Sequence, residues 1–226
     1  MTDELLTIEQ INKLERYRDG ILEINKSLNL TRVEDPEEFW DKHVLDSLAC
    51  VEMEEYRKAQ KILDLGTGAG FPGIPLAVYS PDKEFVLVDS VGKKLKAVET
   101  EANEIGLTNV SFVHGRAEDL ARDKAFRGSF DLCVSRAVAG LPVLLEYCLP
   151  FIKVGGYLLS YKGPGYAEEA TASENALRKL GGEIVTVRKA GLEEKDLEHY
   201  ILVVRKSAAT PKQYPRKAGT PTKSPL

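Results

Sequence analysis

The chain has 226 residues, of which 43% are hydrophobic and 29% charged, with a formal net charge of −4. This length suits one large domain with extensions, and no stretch approaches the ~20 apolar residues of a membrane-spanning helix. Cys50, Cys133 and Cys148 are widely spaced and odd in number, which argues against a disulfide framework or a zinc site. Since the start of the chain also lacks a basic, apolar leader, we expect a cytoplasmic protein that binds no membrane and no metal.

Residues 1–60 predict a helical extension. Thr7 and Gln10 have the spacing of a capping box, and apolar residues follow them at helical intervals. Asp35 and Pro36 then predict the cap and first residue of a second helix, since proline suits the first helical position. The extension therefore contains at least two helices.

Between residues 61 and 206, short apolar runs alternate with helical segments. Such runs are typical of strands buried on both faces of a mainly parallel sheet. The predicted strands are Lys61–Leu65, Glu84–Asp89, Val110–His114, Phe130–Ser135, Gly156–Tyr161, Glu183–Arg188 and Tyr200–Lys206. No helix separates the last two, so the loop 190–199 is expected to return the chain antiparallel. Seven strands ending in a hairpin, with helices on both faces, predict the Rossmann-like α/β fold of class I methyltransferases.

Residues 207–226 predict a basic tail. Between Arg205 and Leu226 there are six Lys or Arg and no Asp or Glu. A segment rich in Pro, Lys and Thr is expected to be solvated and to have little order, and contact with an anionic partner such as RNA is the alternative. We expect the cofactor pocket to be independent of this tail.

Ile62 to Gly73 predict a strand, a glycine turn and the start of a helix. Glycines let the backbone approach a ligand closely, and the start of a helix presents free N–H groups. Gly66, Gly68 and Gly70 form the G-x-G-x-G pattern of methyltransferases, although Gly68, Gly70 and Gly73 also fit the G-x-G-x-x-G of dinucleotide enzymes.

Features around the loop favour the methyltransferase. Asp89 ends the second strand, where a carboxylate accepts hydrogen bonds from the hydroxyls of a ribose. Asp64 precedes the loop, where an acid suits the ammonium group of S-adenosylmethionine and would repel a pyrophosphate. The terminal hairpin is typical of methyltransferases. A dehydrogenase needs a proton donor, and the Y-x-x-x-K match from Tyr79 to Lys83 contains a proline that breaks the required helix.

Ligands of such sheets bind outside the carboxyl ends of the strands. After the third strand, Glu118 or Asp119 is placed to accept from an adenine amino group, with a helix cap at Asp119 as the alternative. Arg136 ends the fourth strand and is predicted to hold a phosphate or a base, with a structural ion pair as the alternative. Lys162 ends the fifth strand and is predicted to meet the substrate.

Methyl transfer from a sulfonium is an in-line displacement, so the protein mainly positions the nucleophile. The sequence contains no Asp/Asn-Pro-Pro-Tyr/Phe motif, and Cys133 and Cys148 fall within a strand and a helix pattern rather than at a reactive site. Guanine N7 has a lone pair and no proton to lose, so the absence of an evident base is compatible with N7 chemistry. His43 and Asp46 predict a surface or capping interaction, with a catalytic pair as the alternative.

Together these residues resemble the bacterial ribosomal RNA small-subunit methyltransferase G family, the 16S rRNA guanine-N7 methyltransferases also called glucose-inhibited division protein B. The resemblance spans nearly the whole chain. It is carried by Asn29-Leu-Thr, His43-Val-Leu-Asp-Ser, Leu63-Asp-Leu-Gly-Thr-Gly-Ala-Gly-Phe-Pro-Gly-Ile-Pro-Leu, Val88-Asp-Ser, Arg116-Ala-Glu, Ser135-Arg-Ala, Tyr161-Lys-Gly and Tyr214-Pro-Arg-Lys-Ala-Gly-Thr-Pro. Ala218 departs from the proline that relatives often have.

The resemblance implies S-adenosylmethionine as cofactor, with contacts at Gly66, Phe71, Ala117, Glu118 and Arg136. It implies methylation of a guanine N7 in 16S ribosomal RNA. We also expect a monomer. The alternatives are a methyltransferase of another RNA or of a small molecule, and a non-catalytic RNA-binding assembly factor.

Overall fold

The computed structural model describes residues 5–190 and 198–226. A seven-stranded sheet forms its centre. The strands are β1 (Lys61–Leu65), β2 (Glu84–Asp89), β3 (Val110–His114), β4 (Phe130–Arg136), β5 (Ile152–Lys162), β6 (Gly182–Ala190) and β7 (His199–Lys206). Their order is β3-β2-β1-β4-β5-β7-β6; β1 to β5 are parallel and β7 runs antiparallel to β5 and β6. The predicted parallel sheet with a terminal hairpin is confirmed, and most of the loop 190–199 lies outside the described residues.

Helices cover both faces of the sheet. They are α1 (Ile8–Leu28), α2 (Pro36–Phe39), α3 (Glu54–Lys58), α4 (Gly73–Tyr79), α5 (Gly92–Glu104), α6 (Ala117–Leu120), α7 (Leu141–Cys148), α8 (Tyr166–Ala172), α9 (Glu174–Leu180) and α10 (Thr220–Lys223). Successive strand residues point to opposite faces, so Ile62 and Phe85 join one hydrophobic cluster whereas Leu63 and Val86 join the other. Among the described residues, no helix is long and apolar enough to cross a membrane.

The N-terminal helices begin where the sequence predicts. Thr7 and Gln10 form the reciprocal capping box of α1, and Asp35 accepts from the Glu38 N–H at the start of α2. Helix α1 packs in the same hydrophobic cluster as one face of the sheet. Its fully buried Tyr17 donates a hydrogen bond to the Ala69 carbonyl, 2.9 Å away in the glycine turn. The extension therefore supports the turn directly.

The chain from Trp40 to Leu45 continues α2 as a π-helical turn. Such turns recur at functional sites because the extra residue in the turn redirects side chains. This turn carries His43 on the side of the sheet where β4 ends. The predicted second helix is thus interrupted at the segment that faces the site.

The structure differs from the expectation of little order in residues 207–226, which we call the C-terminal strap. Arg127 donates to the carbonyls of Thr210 and Tyr214, both at 2.9 Å. Tyr214 is buried, and Arg216 pairs with the fully buried Glu146 at 2.7 Å. Composition suggested disorder because it cannot show that a half-buried arginine, Arg127, and a buried glutamate, Glu146, bind the backbone and the charge of this segment.

Candidate active site

The glycine turn is packed tightly at two of its glycines and open at the third. Gly66, Gly68 and Gly70 have φ values of 74°, 59° and 90°, the left-handed region that favours glycine. A Cβ at Gly66 would collide with Val138, and one at Gly70 would collide with the Tyr17 hydroxyl. A Cβ at Gly68 would have the Gly66 carbonyl oxygen, 4.0 Å away, as its nearest neighbour. The backbone at Gly68 is therefore the part that a ligand can approach.

Asp64 fastens this turn to the helix that follows. Its Oδ2 accepts from the Thr67 hydroxyl at 2.6 Å and from the Gly73 N–H at 2.8 Å. Burial raises the pKa of Asp64 to about 6, against the lowering effect of these two hydrogen bonds. Its Oδ1 is buried without a hydrogen-bond partner among the described residues. Asp64 lies behind the turn, so its contact with the cofactor ammonium stays a prediction.

A cavity of about 330 Å³ lies at the carboxyl ends of β1, β2 and β3. Its walls include predicted cofactor residues from three separate turns: Gly66, Gly68, Asp89, Ala117 and Glu118. Further lining residues are Leu65, Val88, Ser90, Val91, Lys94, Gly115, Arg116, Ala137, Val138 and Tyr147. We call this the donor cavity.

The two carboxylates of the donor cavity suit the nucleoside half of S-adenosylmethionine. Asp89 accepts from the Gly68 N–H at 2.9 Å and from the Val91 N–H at 2.8 Å, one at each oxygen. Each oxygen keeps a second lone pair, so the oriented carboxylate can still accept from two ribose hydroxyls. Glu118 is buried in the wall, whereas Asp119 is exposed and outside the lining. Of the two predicted adenine acceptors, the geometry favours Glu118.

A second cavity of about 550 Å³ adjoins the first, and both are lined by Ala137 and Val138. Ala137 has a φ of 57°, an uncommon conformation for a residue with a side chain, at the point where β4 ends. The side chains of Lys, Arg, Asp, Glu and His in this cavity come from four parts of the chain: Lys42, His43, Asp46, Arg136, Lys162, Glu169 and His199. We call this the acceptor cavity.

Arg136 is fixed in the acceptor cavity by an ion pair. Its Nη1 donates to Asp46 Oδ2 at 2.8 Å, and Asp46 Oδ1 lies 2.8 Å from Nδ1 of His199. Burial acts to raise the pKa of Asp46, but the hydrogen bond from His199 and the charge of Arg136 outweigh it and lower the pKa. The hydrogen bond to Asp46 raises the pKa of His199. The structural ion pair, which was the alternative interpretation of Arg136, is confirmed. Its role in holding a phosphate or a base stays a prediction, which its place in the cavity lining favours.

His43 and Asp46 are not the surface or capping pair that their spacing predicts, because both line the acceptor cavity. The His43 ring stacks on Phe71, with 4.9 Å between ring centroids, and its Nδ1 lies 3.1 Å from Arg136 Nη2. Burial and the charge of Arg136 lower the pKa of His43 to about 4. The neutral ring therefore accepts from Arg136 at Nδ1 and donates from Nε2 to Thr31 Oγ1, 2.7 Å away.

Phe71 lies beneath Arg136, with 5.5 Å from the guanidinium carbon to the ring centroid. It lines neither cavity, so its contact with the cofactor, implied by the resemblance, stays a prediction. Gly70 likewise contacts Tyr17 instead of lining a cavity. Arg136 lines the acceptor cavity and not the donor cavity, which favours its predicted role toward the substrate.

Lys162 is held in place by two acceptors. Its ammonium donates to the Ala139 carbonyl at 2.8 Å and to Glu169 Oε2 at 2.7 Å. Sequence reasoning brought Arg136 and Lys162 together but missed Glu169 and His199. The predicted terminal hairpin could have indicated His199. Lys162 pairs with Tyr200, and this places the neighbouring His199 at the same end of the sheet as Lys162.

A mainly parallel sheet with a terminal hairpin, a glycine turn after β1 and a carboxylate at the end of β2 define a class I, S-adenosylmethionine-dependent methyltransferase. Solved structures with this fold include cofactor-bound Rv0187 from MTB, with a TM-score of 0.60 and 19% identity over 85% of this chain and 90% of that one. The ribosomal protein L11 methylase of Lactobacillus delbrueckii has a TM-score of 0.55 and 20% identity over 73% of this chain and 78% of that one.

Residues 10–198 match the family model described as rRNA small subunit methyltransferase G. The ribosomal RNA small subunit methyltransferase G of Alkaliphilus oremlandii is 47% identical, over 98% of this chain and 92% of that protein. The protein of the same name from Desulfitobacterium hafniense is 46% identical, over 100% of this chain and 95% of that protein. The chain belongs to the rRNA small subunit methyltransferase G family, as its motifs predict, and its cofactor is S-adenosylmethionine.

Proposed function

We propose that this protein transfers the methyl group of S-adenosylmethionine to N7 of a guanine in 16S ribosomal RNA, in the cytoplasm. One observation carries the proposal: the donor and acceptor cavities lie side by side and share Ala137 and Val138 in their walls. A nucleoside bound at Asp89 and Glu118 and a base bound beside Arg136 would meet across these two residues. The names of the relatives add ribosomal RNA of the small subunit as the substrate.

When bound, the cofactor supplies a methyl group that its sulfonium has already activated. N7 of guanine has a lone pair and carries no proton, so its methylation would leave the protein no proton to remove. The protein therefore needs groups that position the base rather than a general base. Arg136 is suited to this because a guanidinium binds O6 of a guanine or a phosphate through its fork of donors.

The charge of the acceptor cavity suits an RNA substrate. Its carboxylates, Asp46 and Glu169, are paired with Arg136 and Lys162, so Lys42 leaves the lining with an excess of positive charge. Positive charge at this position favours the phosphates beside the target base. His43, with its pKa of about 4, is uncharged at neutral pH. Lys42, which pairs with Glu38, has a side chain that is 43% exposed at the rim, where an RNA phosphate can reach it.

Mapping of N7-methylated guanines in 16S ribosomal RNA, from cells with and without the gene for this protein, tests the proposal. We expect one guanine to lose its methyl group in the deletion strain and to regain it when the wild-type gene is restored. Supplying the deletion strain with the gene for the Arg136→Ala variant is the matched control, and it should not restore the methyl group. An unchanged methylation map would contradict the proposal. The monomeric state and the absence of a metal stay predictions.

A further inference from the structure

The C-terminal strap reaches the wall of the donor cavity at two points. The Gly219 N–H donates to Glu118 Oε1 at 2.9 Å, and the Thr222 hydroxyl lies 2.9 Å from the hydroxyl of Tyr147. Glu118 and Tyr147 both line the donor cavity. The strap therefore contacts the cofactor pocket, although the sequence predicts that the pocket is independent of residues 207–226.

The strap is anchored before it reaches the cavity. The backbone N–H of Arg216 donates to Glu146 Oε1 at 2.7 Å, and its guanidinium donates to Oε2 of the same carboxylate at 2.7 Å. Arg122 also donates to the Pro215 carbonyl at 2.6 Å. Because Glu146 and Tyr214 are buried, these anchors hold the segment from residue 217 onward beside the cavity.

The hydrogen bond from Gly219 determines how the Glu118 carboxylate is oriented. Glu118 is 4% exposed, and this is the hydrogen bond that its carboxylate makes among the described residues. With Oε1 bound to Gly219, Oε2 is left for a ligand donor. An amino group on the ligand, such as that of adenine, fits this acceptor because a carboxylate has no proton to donate.

We propose that the C-terminal strap is part of the cofactor site, and that Gly219 is a positioning residue that orients Glu118 to accept from the adenine amino group. The proposal rests on the proposed function, in which adenine lies at Glu118. Because linkage is reciprocal, a cofactor that binds Glu118 also holds the strap in place. The strap thereby selects adenine over a base that presents an oxygen at the same position.

Calorimetry with two ligands tests the proposal: S-adenosylhomocysteine, and S-inosylhomocysteine, in which an oxygen replaces the adenine amino group. A truncated chain lacking residues 218–226 keeps Tyr214 and Arg216 but loses Gly219. We expect its affinity for S-adenosylhomocysteine to fall about tenfold, because a hydrogen bond to a charged group loses its orientation. Its affinity for S-inosylhomocysteine should change by less than about threefold, so the preference for adenine shrinks. Lys223→Ala in the full chain, a change at an exposed side chain of the same segment, is the matched control and should leave both affinities as in the wild type.

Equal losses for the two ligands, or no loss for either, would overturn the proposal. If the truncated chain is not folded, as judged by the loss of cooperative unfolding, hydrogen exchange in the full chain tests the proposal instead. Exchange of the Gly219 amide should slow on addition of S-adenosylhomocysteine, and unchanged exchange overturns the proposal. If the full chain binds S-adenosylhomocysteine but Glu118→Gln keeps its preference for adenine, the placement of adenine fails and the proposal with it. If the full chain binds neither ligand, the proposed function itself fails.

Discussion

Arg136 and Asp46 lie 90 positions apart in the chain, yet their side chains form an ion pair at 2.8 Å, with the Asp46 side chain 2% exposed. This pair joins the end of β4 to the N-terminal helical extension. The acceptor cavity is therefore built by both parts of the chain, although the change in sequence pattern near residue 60 separates them.

Replacing Arg136 by alanine should abolish most of the methyl transfer. The change removes the guanidinium from the acceptor cavity and leaves the buried Asp46 with His199 as its ionic partner, so we expect a loss of about 3 kcal/mol in the free energy of unfolding. Initial rates of methyl transfer, measured below the unfolding temperature, should fall about 100-fold or more. Since Arg136 does not line the donor cavity, affinity for S-adenosylhomocysteine should change by less than about threefold.

Arg136→Lys separates charge from geometry. A lysine keeps the positive charge beside Asp46 but lacks the planar fork, so it should recover stability and not the rate. A wild-type rate in the Arg136→Ala variant would leave Arg136 with a structural role alone.

Asp89→Ala should weaken cofactor binding. The change removes the acceptor for the ribose hydroxyls and also leaves the Gly68 N–H without its partner, at a cost of roughly 1–3 kcal/mol, or about tenfold to a hundredfold in affinity. Calorimetry with S-adenosylhomocysteine measures this. The exposed Asp119 supplies the control, because Asp119→Ala makes the same chemical change outside the cavity and should bind as the wild type does. Equal affinities for all three proteins would refute the placement of the ribose.

The ion pair between His199 and Asp46 makes stability depend on pH. The pKa of His199 is raised in the folded protein, so the pair contributes fully below the unfolded value of about 6.5 and is lost as pH rises through the folded value. Melting temperatures of the wild type and His199→Gln should therefore differ most near pH 6 and converge at alkaline pH. A difference between the two melting temperatures that stays constant from pH 6 to pH 9 would show that the fold does not raise the pKa of His199.

The exposed lysines of the C-terminal strap, Lys212, Lys217 and Lys223, are expected to contact RNA phosphates. Replacing all three by alanine should lower affinity for 16S ribosomal RNA. It should also reduce the slope of log affinity against log salt by about 2 to 3, since each phosphate contact contributes ~0.7–0.9 to that slope. The control removes three exposed lysines near the amino ends of the strands: Lys58, Lys153 and Lys179. If both triple variants have the same slope of log affinity against log salt, the strap lysines do not contact RNA and the rest of the folded surface binds it.

The sheet and the donor cavity follow from local patterns. Apolar runs predict the strands, and Gly66, Gly68 and Asp89 are recognised by spacing because the turn and the end of β2 have fixed positions in such sheets. The carboxylate after β3 is also predictable, but the choice between Glu118 and Asp119 needs the geometry of α6.

The acceptor cavity could not be derived in the same way. It depends on a π-helical turn that brings His43 and Asp46 to Arg136, and on a hairpin that brings His199 to Asp46. These contacts join residues far apart in the chain, and no local pattern encodes their distance. Composition also led to a wrong expectation of little order in the strap, since its anchors, Arg127 and Glu146, lie far from it in the chain.

The most direct test of the central claim is the identity of the nucleoside that the purified protein methylates. Small ribosomal subunits from cells lacking the gene are incubated with methyl-labelled S-adenosylmethionine, and their RNA is digested and separated by chromatography. The proposed function predicts that the label appears in 7-methylguanosine, because His43, Asp46 and Glu169 are already hydrogen-bonded to Arg136 or Lys162 and N7 has no proton to lose. Label in any other nucleoside, or none while S-adenosylhomocysteine still binds, would contradict the claim.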